Sequence, residues 1–397
     1  MLRKGESSVT NADVVLFSKG GRDFRMERLS RGEEVPREFF YGFYELATAG
    51  VSAAILSSAG RQPGAAGFGA DVVERGFARV TSLGARPMSA RLSLRQAGQA
   101  KVVISYTDGF SLSLGLSGLR TQNRPVLIGG FHGLSDIEER APQAARGLVR
   151  KLISRSVANL DHVFFFGPAD REFAIERYGV LATRSSIFRF GVDTEFWRPL
   201  LDEAVEDFVV AIGQDRNRDY DLLAAAPGNH PTRIVTRQAV KVPAGATNVK
   251  TSVGDFFGSD AMTDADLRRL YNKALAVVVP LKDVYQPSGY SVTLQAMSCG
   301  KPVILSDIKG LWAPELLKNE ENCLLVRPGD APALGEAIGR LRADAQLRKR
   351  LGHAARETAL THFTLNNVAK STLALAELGL DERAQRSPQR HRAVAQS

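Results

Sequence analysis

Four short segments carry the residues of this chain best suited by type and spacing to do chemistry. His132 lies in VLIGGFHGLSD, just past an apolar run and between glycines. An imidazole there can polarise or hold a hydroxyl, although a lone loop histidine can equally be structural. Gln214, Arg216 and Arg218 lie in AIGQDRNRDYD. Arginine offers planar, bidentate binding to a diphosphate. The plain alternative is a solvated loop in which Asp215 and Asp219 pair with the arginines. Ser288, Gly289, Tyr290 and Ser291 precede or begin a helical pattern, so backbone N–H groups and the helix dipole offer a site for an anion there. Serines at helix starts also serve as simple caps. Gly20 and Gly21 follow the first apolar run, where a glycine pair lets the backbone approach a sugar or phosphate; a plain loop fits the same residues.

These segments need strands and helices to position them. Strands are expected over 14–17, 52–56, 102–106, 126–128, 162–166 and 187–190, with helices over 37–49, 111–119, 137–158 and 170–178. Such alternation implies βαβ units and a parallel sheet. Continuous apolar runs such as VVLF and HVFFF fit strands buried on both faces. A polar stretch, RPLLDEAVED, then breaks the pattern and reads as a linker. The alternation restarts with strands over 208–212, 232–236, 275–279, 302–305 and 323–326. Helices are expected over 220–226, 264–272, 291–298, 312–318, 331–342 and 345–361. The fold class is therefore α/β, with two doubly wound, Rossmann-like domains facing across a cleft. Ligands in open α/β sheets bind outside the carboxyl ends of the strands, and all four segments lie there.

Composition narrows the setting. The chain has 397 residues, 44% hydrophobic and 24% charged, as in ordinary globular proteins. Its two cysteines, Cys299 and Cys323, make neither a disulfide framework nor a metal spacing, which points to a reducing, cytoplasmic setting. No secretory leader and no apolar run of about 20 residues is visible. The formal net charge of +9 favours anionic partners. With no aromatic platform or known module beside that charge, nucleic acid is not expected.

The segment VVVPLKDVYQPSGYSVTLQAMSCGKPVILSDIKG resembles the donor-binding signature of family 4 (group 1) retaining glycosyltransferases of the GT-B fold. Leu294, Ala296, Met297, Cys299, Gly300, Lys301 and Pro302 fit that signature. Two glutamates usual in the family, eight positions apart, are replaced by Pro287 and Gln295. Glutamine can still hydrogen-bond ribose hydroxyls. Gly213, Asp221, Leu222 and Leu223 also fit, with Arg218 at the place of a family lysine and Gln214 at that of its arginine. FGVDTEFWRP resembles the family's junction motif, and the family often has a histidine where His132 stands.

The resemblance implies transfer of a sugar from a nucleoside diphosphate sugar to a hydroxyl acceptor, with retention of configuration. Arg218 and the 288–291 amides would stabilise the leaving diphosphate, Gln295 would hold ribose, and His132 would contact the reacting sugar. No metal or further cofactor is expected. The acceptor would be a glycan, a polysaccharide or a lipid-linked molecule. Residues 1–196 would form the acceptor-side domain and 197–365 the donor domain. Residues 366–380 would form a helix crossing back, and 381–397 a basic, disordered tail. Two rivals are a catalytically silent binding protein of the same fold and a nucleotide-sugar epimerase. The charged stretch 23–37 is expected near the acceptor cleft. The arginines of the expected helix 137–158 raise the prospect of a peripheral site on an anionic membrane, the inner face of the plasma membrane.

Overall fold

The computed structural model describes residues 11–19, 23–58, 64–97, 99–118, 124–254 and 262–386. The first domain contains β1 (Val14–Lys19), α1 (Asp23–Ser30), α2 (Phe43–Thr48), β2 (Ala53–Ser58), α3 (Gly64–Thr81), α4 (Pro87–Gln96), β3 (Val102–Ser105) and α5 (Asp108–Leu116). It continues through β4 (Val126–Phe131), α6 (Leu134–Arg140), α7 (Arg146–Asn159), β5 (His162–Phe165), α8 (Pro168–Tyr178) and β6 (Ser185–Ile187). The six strands are parallel, in the order β2-β1-β3-β4-β5-β6.

The second domain contains β7 (Val209–Ile212), α9 (Tyr220–Ala224), β8 (Thr232–Val235), β9 (Val249–Ser252), α10 (Asp264–Lys273), β10 (Ala276–Val279), α11 (Tyr290–Ser298), β11 (Val303–Ser306), β12 (Leu324–Val326), α12 (Ala331–Ala343) and α13 (Ala345–His362). Its parallel sheet runs β12-β11-β10-β7-β8-β9. Chain order reverses between β7 and β10, as in dinucleotide-binding sheets. The central strands of both sheets are wholly buried, because helices cover both faces, while the edge strands β6 and β9 are partly exposed.

The last helix, α14 (Leu365–Arg386), returns to the first sheet. Thr372 donates to the Tyr41 carbonyl at 2.7 Å and accepts from the Tyr106 hydroxyl at 3.1 Å. Residues 381–386, expected in a disordered tail, extend this helix, since Arg386 pairs with Asp161 and Glu382 at 2.6 Å each. Residues 387–397 lie outside the described residues.

Several local expectations are corrected. The expected helix 137–158 is two helices, because Pro142 ends the first. The expected helix 312–318 is a series of turns around Pro314. Within 37–49 only α2 is α-helical, since Tyr41 and Gly42 both have positive φ.

The charged stretch 23–37 straps the two domains together. Arg25 makes a bidentate pair with Asp264, at 3.0 and 3.2 Å, and both are buried. Glu34 takes both Nη atoms of Arg268, at 3.0 and 3.1 Å, and one of Arg198 at 2.7 Å. The pairs with Arg268 and Arg198 hold the Glu34 carboxyl down to about 2.

Candidate active site

The loops that leave β7 and β10 lie side by side at the point where strand order reverses. Arg218 and Leu281 form an isolated antiparallel bridge. The Lys282 N–H donates to the Asn217 carbonyl at 2.9 Å, and the Asp219 N–H to the Pro280 carbonyl at 2.9 Å. This zipper fixes Arg218, which is only 5% exposed. Its Nε and Nη1 are buried and have no hydrogen-bond partner among the described residues. A buried, unpartnered guanidinium is costly, and an anion is what would satisfy it.

Two glycines make room for that guanidinium. A Cβ on Gly213 would meet Arg218 Nη2 at 2.9 Å, and one on Gly289 would meet Val279 Cγ1 at 2.7 Å and Arg218 Nη1 at 3.4 Å. Both have positive φ, 139° and 81°, which glycine tolerates best. Gly289 is the residue from which α11 starts, and no side chain caps that first turn. The leading N–H groups of a helix point out of its N-terminus, so an uncapped start beside a cation doubles the attraction for an anion. The plain capping role open to Ser288 and Ser291 is not the one observed. Ser288 is buried, and its hydroxyl accepts from Asn217 Nδ2 at 3.3 Å. Ser291, in the first turn, is half-buried.

The first domain supplies the facing lip. The His132 and Gly133 N–H groups donate to Asp108 Oδ1 at 3.0 and 3.2 Å. The Leu134 and Ser135 N–H groups donate to Asp170 at 3.3 and 2.9 Å. Two carboxylates thus hold the loop that carries His132. Burial pushes Asp170 up to about 7, against the pull of these hydrogen bonds. The His132 ring stacks on Phe166 at 3.9 Å, and its Nδ1 shares a hydrogen bond of 2.7 Å with the Tyr290 hydroxyl. Tyr290 is the first residue of α11, so this bond closes the cleft between domains. Beside it, Asn217 Nδ2 lies 2.9 Å from Asp136 Oδ2 and 3.1 Å from Gln286 Oε1. Burial raises the Asp136 carboxyl.

The structure therefore brings Arg218, Ser288, Gly289, Tyr290, Ser291 and His132 to one cleft. Three other residues are corrected. Both ends of the Gln214 amide are used inside its own domain: it donates to the Gly254 carbonyl at 2.8 Å and accepts from the Arg237 N–H at 2.7 Å. It staples the loops beyond β8 and β9. Arg216 is exposed, and Arg218 takes the inward position expected of both. Gln295 is buried away from the cleft mouth. Its Oε1 accepts from the Tyr271 hydroxyl at 3.2 Å, and its Nε2 donates to Glu38 Oε1 at 3.2 Å. Gly20 and Gly21 lie outside the described residues.

Glu38 is the residue that sequence reasoning missed altogether. It is fully buried and also accepts from Trp197 Nε1 at 2.7 Å and the Asp193 N–H at 3.2 Å. Burial pushes its carboxyl up to about 7 although three donors surround it. From sequence it is one acid in the expected helix 37–49, with nothing to mark it as buried. Asp136 and Asn217 were also missed, although each sits within five residues of a named candidate.

Two facing doubly wound domains, with a cationic, glycine-lined cleft at the strand-order reversal of the second, define a GT-B architecture. Sucrose-phosphate synthase from Thermosynechococcus elongatus has the same fold, with a TM-score of 0.63 and 18% identity over 93% of this chain and 99% of that one. So does Anabaena HepE, solved in complex with UDP-glucose, with a TM-score of 0.62 and 14% identity over 92% of this chain and 100% of that one. Among curated proteins, the chain is 26% identical to alpha-maltose-1-phosphate synthase of Mycobacterium tuberculosis (strain CDC 1551 / Oshkosh), over 65% of this chain and 70% of the relative. Residues 201–344, which hold the β7 and β10 loops, match the family Glycosyl transferases group 1. Over those residues the chain is similar to the glycosyl transferases of group 1, and its two-domain fold is GT-B.

Proposed function

We propose that the protein transfers a sugar from a nucleoside diphosphate sugar to a hydroxyl acceptor, with retention of anomeric configuration. The observation that carries this reading is Arg218, a buried guanidinium with two unpartnered nitrogens beside the uncapped start of α11. The diphosphate lies between them, and the same groups stabilise the charge that grows as the sugar departs. That the fold neighbour HepE was solved with UDP-glucose supports a nucleotide sugar as donor. His132 and Tyr290, joined across the cleft, contact the transferred sugar. The departing diphosphate takes the acceptor proton on the face it leaves, which gives retention. The acceptor is a hydroxyl of a glycan or a lipid-linked molecule, taken up from the first domain's side.

Gln295 does not hold the ribose in this scheme, because both ends of its amide are committed. The experiment incubates the protein with a panel of nucleoside diphosphate sugars and follows release of nucleoside diphosphate, with the anomer of any product read by NMR. Release from one donor with a retained anomer is the expected result. Binding of that donor without any release, by folded protein, would replace the transferase mechanism with a binding role.

A further inference from the structure

The helix α3 turns both its acids inward and leaves four large apolar residues facing solvent, while Ala70 and Phe77 pack on the core. Asp71 and Glu74 are 8% and 3% exposed, whereas Val72, Val73 and Val80 are 47%, 58% and 60% exposed and Phe68 is 54% exposed. The buried acids are fully used. Glu74 accepts from the Ser89 N–H at 2.9 Å and the Ser89 hydroxyl at 2.5 Å, and Asp71 pairs with Arg86 at 2.7 Å. Those bonds fasten α3 to α4 and dictate which face is left outside. At 100° per residue, Phe68, Val72, Val80 and Val73 fall on one outer face, with Arg79 between Phe68 and Val72 and Arg75 along its edge. The outward stripe of α4 is Met88, Arg91 and Arg95, all exposed.

Charge decides the occupant. Residues 64–100 hold five arginines and only two acids, Asp71 and Glu74, and both acids are turned inward. The exposed surface of α3 and α4 is thus apolar and cationic with no acidic group among the described residues. A second copy of this face would oppose like charges. We propose that the α3–α4 face docks the protein on an anionic lipid bilayer, with the valines and Phe68 in the headgroup boundary and the arginines on acidic headgroups. No helix among the described residues is long and apolar enough to cross a membrane, so the attachment is peripheral. It also differs in place from the basic helix expected at 137–158. There Val149, Ile153 and Val157 are buried in the core and Arg150 is bound to Glu138, so Leu148 is left as a single exposed apolar residue rather than a face. Helix α3 begins just after the carboxyl end of β2, on the cleft side of the sheet. The inference needs no assumption about the donor or the reaction.

Flotation of the full chain with vesicles tests it directly. Vesicles of phosphatidylcholine with one-third phosphatidylglycerol should carry the protein up, and pure phosphatidylcholine vesicles should not. Val72→Asp/Val80→Asp should cut the bound fraction about tenfold, and Arg79→Glu/Arg91→Glu should do so with the apolar face intact. Circular dichroism and the melting temperature identify a variant that has lost its fold. Absence of flotation on anionic vesicles overturns the proposal, as does equal flotation of folded charge-reversed and wild-type proteins. A concentration-dependent dimer abolished by Val72→Asp/Val80→Asp, without vesicle binding, would instead make the face a contact between two copies.

Discussion

Two regions join the domains, and they treat their buried charges in opposite ways. On the strap side, Arg25 and Arg268 are buried, and each makes a bidentate pair with a carboxylate of the other domain. Glu38 has three donors. On the cleft side, Arg218 is equally buried, yet two of its nitrogens have no partner among the described residues. Helix α11 belongs to both regions. Its start at Gly289 is uncapped beside Arg218, while Gln295, one and a half turns on, is tied to Glu38 and Tyr271. Each strap guanidinium thus carries a carboxylate, although Arg268 Nε has no partner of its own, whereas Arg218 pairs with no carboxylate among the described residues and is left for a ligand.

The largest expected effect is at the unsatisfied end. Arg218→Ala should lower turnover by ~10²–10³-fold, with stability unchanged or raised, because an unpaired buried cation is removed. Steady-state kinetics and thermal melts together check this. An effect on stability alone would place Arg218 among the structural residues.

At the satisfied end, Gln295→Glu sets a second carboxylate beside Glu38 in a dry site. It should destabilise the fold by about 3 kcal/mol. Adding Glu38→Gln should recover much of that loss, since the amide and the acid merely exchange places. Denaturant unfolding of both single variants and the double variant measures the coupling. Additivity would show that the two side chains do not act on one another.

Glu38 also gives a pH dependence. Its folded pKa, about 7, lies above the ordinary carboxyl value of 4.5, so the folded state binds the proton more tightly. Its contribution therefore falls as pH rises from about 4.5 to about 7. The melting temperature of wild type should fall across that window by more than that of Glu38→Gln. A parallel course for the two proteins would remove Glu38 as the cause.

Smaller effects belong to groups at the edges of the comparison. Tyr290→Phe removes the hydroxyl that meets His132, and should cost about 1 kcal/mol, or ~5-fold in kcat/KM. Arg216→Ala, at an exposed residue, should change donor KM by less than ~2-fold.

The sequence made the cleft side legible and hid the strap side, for a physical reason. The loops after β7 and β10 announce themselves locally: a strand ends, a glycine follows, then an arginine or a helix start. Each signal spans fewer than ten residues. The partners of the strap lie far off in the chain. Arg25 and Asp264 are 239 positions apart, and Glu38 and Gln295 are 257 apart. From sequence a stretch such as 23–37 can therefore be set near the acceptor cleft but given no partners. Gln214 was misread for a related reason. Its type and place suited a ligand, but Gly254 and Arg237 had prior claim on its amide. Helix α3 escaped notice because its apolar residues face outward, against the pattern by which buried helices are found.

The central claim is that Arg218 and the start of α11 form the diphosphate site. Calorimetric titration of the common nucleoside diphosphates into wild type and Arg218→Ala tests it most directly. One nucleoside diphosphate should bind wild type, and folded Arg218→Ala should bind it at least ~10-fold more weakly, about 1.4 kcal/mol. Equal affinity for the two proteins would contradict it.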